Sequence, residues 1–134
     1  MTARTRGVHH VGLNVLDIER ARDFFVEALG FHEVGGRPSY PALFVSDGVT
    51  MLTLWQAPDV TNTAAFDRRG CVGLHHLALR IESAEALDAL HATLAARDDV
   101  TIEFPPELLG AGDARHMMFA GPSGVRLELV WAPA

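Results

Sequence analysis

Hydrophobic and polar residues alternate along two short stretches that stand at matching places in the two halves of the chain. Residues 8–15 read VHHVGLNV and residues 74–81 read LHHLALRI. Because successive side chains of a strand point to opposite faces, each stretch is predicted to be a half-buried strand. The ends of the halves also match, since residues 52–58 read LTLWQAP and residues 127–133 read LELVWAP. The pattern therefore predicts a duplicated structural unit.

Each half also contains one segment whose apolar residues recur at helical spacing. In the first half Asp17 is the predicted N-cap of this helix and Gly30 its C-terminal end. In the second half Ser83 is the predicted N-cap, and the apolar pattern continues to Ala95. The remaining strands are predicted at 31–35, 40–45, 49–55, 100–104, 115–120 and 125–131. The order in each half is therefore strand, helix and three strands.

The predicted fold class is α+β, with two tandem βαβββ units forming a curled mixed sheet that carries its helices outside. The units are predicted at about 7–57 and 72–133, joined by a linker at 58–71. A single unit with one amphipathic helix would leave an apolar sheet face uncovered, so residues 1–134 are interpreted as one domain. A loop rich in proline and glycine is predicted at 105–113.

Composition excludes several classes of function. The net charge of −6 and the pI near 5.5 argue against nucleic-acid or anionic-membrane partners, which require clustered cationic charge. No apolar run is long enough for a transmembrane helix, and no signal peptide is visible. Cys71 is the only cysteine, so no internal disulfide can form and a cytoplasmic location is expected. All 11 basic residues are arginine, which excludes Schiff-base chemistry on lysine.

Strand parity brings three potential metal ligands to the face that points away from the helices, here called the concave face. These residues are His10, His76 and Glu128. Two imidazoles and a carboxylate suit a divalent metal that keeps open coordination positions. A lone histidine at the start of a strand is more often a hydrogen-bonded structural residue. The duplicated histidine position and the accompanying carboxylate nevertheless favour a metal site.

Other side chains share this parity and are candidates for contact with substrate. His116 is the predicted acid–base residue, because imidazole titrates near neutrality, although a hydrogen-bonded lining residue fits its position equally well. Arg80 and Arg126 are candidate anion binders, and Asn14 lies on the same face as His10. By the same parity His9 and His75 are expected on the helix side. Further core residues are expected at Trp55, Trp131, Phe24 and Phe25.

These features together resemble those of a known family. The βαβββ repeat, the motifs HVGLNV and HLALRI, and GPSGVRLEL at 121–129 are similar to those of the vicinal oxygen chelate superfamily. This superfamily includes glyoxalase I, bleomycin-resistance proteins, fosfomycin-resistance transferases, methylmalonyl-CoA epimerase and extradiol dioxygenases. The resemblance covers about residues 7–133. It implies the glyoxalase/bleomycin-resistance/dioxygenase fold and a metal that binds adjacent oxygens of a small substrate.

By this resemblance His10, His76 and Glu128 correspond to three metal positions of the family. Thr53 stands at the fourth position, where glyoxalase I has a carboxylate and the epimerase an amide. Because threonine is a poor ligand, the pattern is closer to fosfomycin-resistance enzymes and extradiol dioxygenases, and Thr53 is assigned to substrate binding. The fosfomycin enzymes use a lysine that this chain lacks. Met118 stands where extradiol enzymes often have a tyrosine, so it too is assigned to substrate binding.

The resemblance implies one divalent metal per site, and iron, manganese, zinc, nickel and cobalt are all candidates for it. The predicted function is that of a metal-dependent enzyme, which is an oxidoreductase, a lyase or an isomerase. It would act as a dioxygenase or as a lyase or isomerase on a small substrate. The alternative is a metal-free drug-binding protein of the bleomycin-resistance type. A homodimer is expected, in which the metal ligands of one site come from one subunit or from two.

Overall fold

The computed structural model describes all 134 residues as two compact units, Met1–Thr63 and Ala64–Ala134. Each unit contains one helix and a four-stranded mixed sheet in the order βαβββ. The predicted α+β class and the tandem repeat are therefore confirmed. The grouping of both units into one domain, with bounds at 7–57 and 72–133, stays a prediction.

The first unit forms a sheet with the strand order β1-β4-β3-β2. Strands β1 and β4 run parallel, whereas the β3–β4 and β2–β3 pairs are antiparallel. The elements are β1 (His10–Val15), α1 (Ile18–Leu29), β2 (His32–Arg37), β3 (Ala42–Ser46) and β4 (Met51–Gln56).

Helix α1 begins and ends at the residues that the sequence predicts. The Asp17 side chain accepts a hydrogen bond from the Arg20 amide, and Gly30 adopts a left-handed conformation with φ of 74°. Phe24 and Phe25 are buried, which confirms their assignment to the core. The helix thus covers one face of its sheet.

The second unit repeats this arrangement, with the strand order β5-β8-β7-β6 and a parallel β5–β8 pair. The Ser83 side chain caps its helix by accepting a hydrogen bond from the Ala86 amide. The elements are β5 (Leu77–Arg80), α2 (Ala84–Ala95), β6 (Thr101–Leu108), β7 (Arg115–Ala120) and β8 (Arg126–Trp131).

The predicted loop at 105–113 is wrong in its first part, because β6 continues through Pro105 and Pro106 to Leu108. The two prolines are tolerated because β6 is the edge strand of its sheet, where an absent N–H does not interrupt pairing on both sides. The pairing with β7 also shifts its register between Phe104 and Glu107. The prolines therefore fall where the ladder is already irregular.

Strand parity separates a covered face from an open face in each unit. In β1, Leu13 and Val15 are buried, whereas His10, Gly12 and Asn14 are exposed. In β8, Leu127 and Leu129 are buried as the sequence predicts. Each helix contacts the sheet of its own unit, α1 on β2, β3 and β4 and α2 on β6, β7 and β8. No helix combines the length and apolar character that crossing a membrane requires.

Candidate functional site

Glu128 is a buried carboxylate in the middle of the second sheet. Strand β8 lies between β5 and β7, and Glu128 is in register with Ala78 on one side and Met118 on the other. Its neighbours Leu127 and Leu129 are buried and fix the strand, so the Glu128 side chain points to the opposite face. Only 9% of Glu128 is exposed. A buried carboxylate requires partners that satisfy its charge.

His116 on β7 is one of these partners. Its Nδ1 lies 2.8 Å from Oε2 of Glu128, and the histidine side chain is 12% exposed. Because an ionised carboxylate can only accept, His116 must donate from Nδ1, which leaves Nε2 without a proton in the neutral ring. The Phe104 ring packs against the imidazole with a centroid distance of 4.9 Å. His116 is therefore held in one orientation.

His76 is the second partner and comes from the segment just before β5. Its Nε2 lies 3.8 Å from Oε1 of Glu128, whereas His116 is hydrogen-bonded to Oε2. A metal ion bound to both atoms would hold them about 3–4 Å apart, since each bond measures about 2.0–2.2 Å. The two residues therefore fit a divalent metal. No group of three His, Cys, Asp or Glu side chains is gathered for a metal ion, however, so this pair supplies only part of a ligand set.

His10, the third predicted metal ligand, lies in the first unit at the start of β1. It is exposed, and its Nδ1 lies 2.9 Å from Nδ1 of His9. Gly12 and Asn14 follow it on the same face of β1, in register with Thr53 and Trp55 of β4. A matching contact occurs in the second unit, where Nδ1 of His75 and Nδ1 of His76 are 2.7 Å apart. Ligation of a metal by His10 stays a prediction.

The assignment of Thr53 to substrate binding stays a prediction, and the structure shows what its side chain contacts. Thr53 is buried, and its hydroxyl oxygen accepts a 2.8 Å hydrogen bond from Nε1 of Trp55. Trp55 itself is half-buried and contacts Tyr40 and Phe44, so the prediction that it is a core residue is only partly right. Trp131 is half-buried as well. Met118, in register with Glu128, is buried.

The two candidate anion-binding arginines differ in their surroundings. Arg126 donates to both carboxylate oxygens of Glu103, at 2.9 and 2.6 Å, and Arg68 donates to the same carboxylate at 2.7 Å. These contacts, hydrogen bonding by Arg126 first, lower the pKa of Glu103 and raise that of Arg126. Arg80 is exposed and has no ion-pair partner. Arg80 is therefore the freer of the two predicted arginines.

His75 does not lie on the helix side as parity predicted. Strand β5 begins only at Leu77, so the alternation of faces does not extend back to the histidine. Its Nδ1 instead lies 3.3 Å from Nη1 of Arg126. Desolvation, followed by the charge of Arg126, lowers the pKa of His75. His75 therefore belongs with the Arg126 and Glu103 side chains.

We predict that Glu103→Gln destabilises the protein only at pH values above the ordinary pKa of a carboxyl group. Since folding lowers the pKa of Glu103 below its ordinary value of 4.5, the ion pairs stabilise the protein above that pH and lose this effect as the pH falls through the folded-state pKa. The effect at pH 7 should be at most about 1 kcal/mol, because Glu103 is partly exposed and screened. Urea unfolding of both proteins at pH 7 and pH 3 measures it, and an equal difference at both values would contradict the prediction.

Glu103 and Phe104 were missing from the candidates because parity cannot predict a bulge. The β6–β7 register shifts between Ile102 and Phe104, and the shifted register sets Phe104 opposite Met118. Glu103 then pairs with Arg126 while Phe104 covers His116. The only sign of this ion pair in the sequence is the acidic residue Glu103 within the predicted strand 100–104.

Comparisons with known proteins agree with this architecture. The family model described as Glyoxalase/Bleomycin resistance protein/Dioxygenase superfamily matches residues 7–129. A 2-epi-5-epi-valiolone epimerase from Actinomyces sp. is 30% identical, with 95% of this chain and 80% of that protein covered.

Two solved structures illustrate the likeness in three dimensions. A glyoxylase/bleomycin resistance protein/dioxygenase domain from a Frankia species superposes with a TM-score of 0.76 at 25% identity, over 96% of this chain and 93% of that one. A fosfomycin resistance protein from Listeria monocytogenes has a TM-score of 0.74 at 17% identity, over 96% and 95% of the two chains, and shows the fold alone. The family-model match spans both units and both histidine motifs, so the chain belongs to the Glyoxalase/Bleomycin resistance protein/Dioxygenase superfamily.

Proposed function

We propose that this protein is a metal-dependent isomerase that epimerises a carbon atom next to a carbonyl group in a small hydroxyketone. The observation that carries the proposal is the buried Glu128 carboxylate, whose two oxygens face His116 and His76. The relative that is 30% identical is an epimerase, which favours isomerase chemistry over the oxidoreductase and lyase alternatives.

In this proposal His76 and Glu128 bind a divalent metal, and His10 is the third ligand by its place in the family motif. A bound divalent ion would polarise the adjacent oxygens of the substrate and so acidify the neighbouring C–H group. His116 orients the carboxylate, because its Nδ1–H donates to Oε2 and leaves Oε1 directed towards His76. Iron, manganese, zinc, nickel and cobalt all suit this ligand set.

Epimerisation requires that a proton leaves carbon and that a proton returns to the opposite side of the same atom. The unprotonated Nε2 of His116 is suited to accept it, since Nδ1 is already committed to Glu128. The Glu107 carboxylate lies 3.8 Å from this nitrogen, too far for a hydrogen bond. His116 therefore serves in the proposal as the base that removes the proton from carbon, and solvent water returns a proton to the opposite side of the same atom.

Metal uptake by chelator-treated protein tests the proposal. We expect about one equivalent of zinc or manganese per chain by calorimetric titration, with loss of uptake in His76→Ala. His32→Ala is the matched control, because His32 is an exposed histidine on β2 and lies outside the candidate site.

Proton exchange provides the second measurement. The metal-loaded protein should catalyse exchange of the α-proton of a hydroxyketone such as scyllo-inosose in deuterated water, as followed by NMR. A protein that takes up no metal and catalyses no exchange would overturn the proposal and favour the metal-free drug-binding alternative.

A further inference from the structure

An open cavity of about 410 Å³ lies on the exposed face of the first sheet and is lined by Gly12, Asn14, Tyr40 and Trp55. Its size is within the usual range for small-molecule sites. None of its lining side chains is charged, and two of the four are aromatic. The cavity therefore suits an uncharged ligand that carries both an apolar face and polar groups.

The indole of Trp55 is fixed in place from three sides. Its Nε1 donates to the Thr53 hydroxyl at 2.8 Å, and the Tyr40 ring meets it edge to face with a centroid distance of 5.3 Å. A Cβ atom at Gly12 would lie 3.2 Å from Oγ1 of Thr53 and 3.3 Å from Nε1 of Trp55, so the glycine allows β1 to approach this pair closely. A ligand would therefore meet a rigid aromatic surface that loses little entropy on binding.

Asn14 provides the polar side of the cavity. Its side chain is exposed and makes no hydrogen bond within the protein. A carboxamide offers two donors and one acceptor, which match neighbouring hydroxyl groups that can both donate and accept. A purely aromatic ligand would stack on the rings but would form no hydrogen bond with the Asn14 amide.

We infer that Trp55, Tyr40 and Asn14 form a subsite for an uncharged, polyhydroxylated ring, with Thr53 as the residue that positions Trp55. The C–H face of such a ring packs on the electron-rich face of an indole, while its hydroxyl groups hydrogen-bond to Asn14. The inference deepens the proposed function, on which it rests for the assignment of the ring as substrate. It names cyclic polyols and their ketones as the substrate class of that function.

The indole N–H signals of the protein labelled with ¹⁵N-tryptophan test the inference directly. Trp55 and Trp131 are the only two tryptophans, and Trp131→Phe identifies the Trp55 signal. We expect scyllo-inosose, added to metal-free protein in the presence of a chelator, to shift the Trp55 signal saturably. Pyruvate should leave it unchanged, and catechol should bind more weakly than scyllo-inosose.

Two variants add separate readouts. Asn14→Ala should weaken binding of scyllo-inosose about fivefold, as expected for one neutral hydrogen bond. It should not perturb folding, because the replaced side chain is exposed and has no partner. Thr53→Val should move the Trp55 signal of the free protein, since the indole loses its acceptor, and should also weaken binding.

Any one of three results would overturn the subsite. They are the absence of a saturable shift with scyllo-inosose, tighter binding of catechol than of scyllo-inosose, and unchanged affinity in Asn14→Ala. Because these titrations contain no metal, their failure is distinguishable from failure of the proposed function. Metal uptake without ring binding would overturn the subsite alone. Ring binding in a protein that takes up no metal would support the subsite and overturn the proposed isomerase.

Discussion

Glu128→Gln is expected to lower metal affinity and catalysed proton exchange at least about a hundredfold. Loss of a residue that merely orients a metal ligand typically costs about 10–100-fold, so loss of the charged ligand itself should cost more. The substitution removes the negative charge but keeps the size of the side chain. The new amide oxygen can still accept a hydrogen bond from Nδ1 of His116, so the fold should persist.

Glu107→Gln is the matched control for this substitution. Glu107 is the other carboxylate near His116, at 3.8 Å, but its side chain is 57% exposed. The Glu107→Gln protein should therefore retain metal uptake and exchange activity close to those of the unmodified protein. Calorimetric titration and NMR exchange on both variants measure the difference. Equal losses in the two variants would mean that the negative charge around His116, rather than ligation by Glu128, explains the effect.

Phe119→Ala is expected to produce the largest loss of stability, about 3–5 kcal/mol in the free energy of unfolding. Phe119 is fully buried in β7, in register with Ile102 on β6 and Leu127 on β8. Removal of its ring would leave a cavity in the core of a four-stranded sheet that helix α2 contacts. Urea unfolding followed by circular dichroism measures the change.

Val72→Ala controls for the removal of apolar side-chain atoms in the same unit. Val72 is fully exposed, so its loss should change the unfolding free energy by less than about 0.5 kcal/mol. A Phe119→Ala protein with nearly unchanged stability would contradict the assignment of β7 to the core.

The sequence predicted those parts of the fold in which one local rule operates alone. Asp17 and Ser83 cap their helices as expected, because each side chain satisfies a nearby amide without help from distant residues. Parity likewise placed Glu128 on the face of β8 opposite to that of the buried Leu127 and Leu129, since β8 is a regular central strand.

Prediction failed where position depends on neighbouring strands. Pro105 and Pro106 indicated a loop, but an edge position with a shifted register accommodates them in β6. Parity also misplaced His75, because the point at which β5 starts depends on its pairing with β8. Trp55 was assigned to the core on hydrophobicity alone, whereas its hydrogen bond to Thr53 holds it at the wall of a cavity.

The prolines of β6 also affect how the second unit meets other molecules. An exposed edge strand normally presents amide groups that can recruit a strand from another chain. Pro105 and Pro106 carry no N–H, so this border of the sheet lacks two successive donors. At high protein concentration, β6 should therefore resist the edge-to-edge association that begins aggregation in many β-rich proteins.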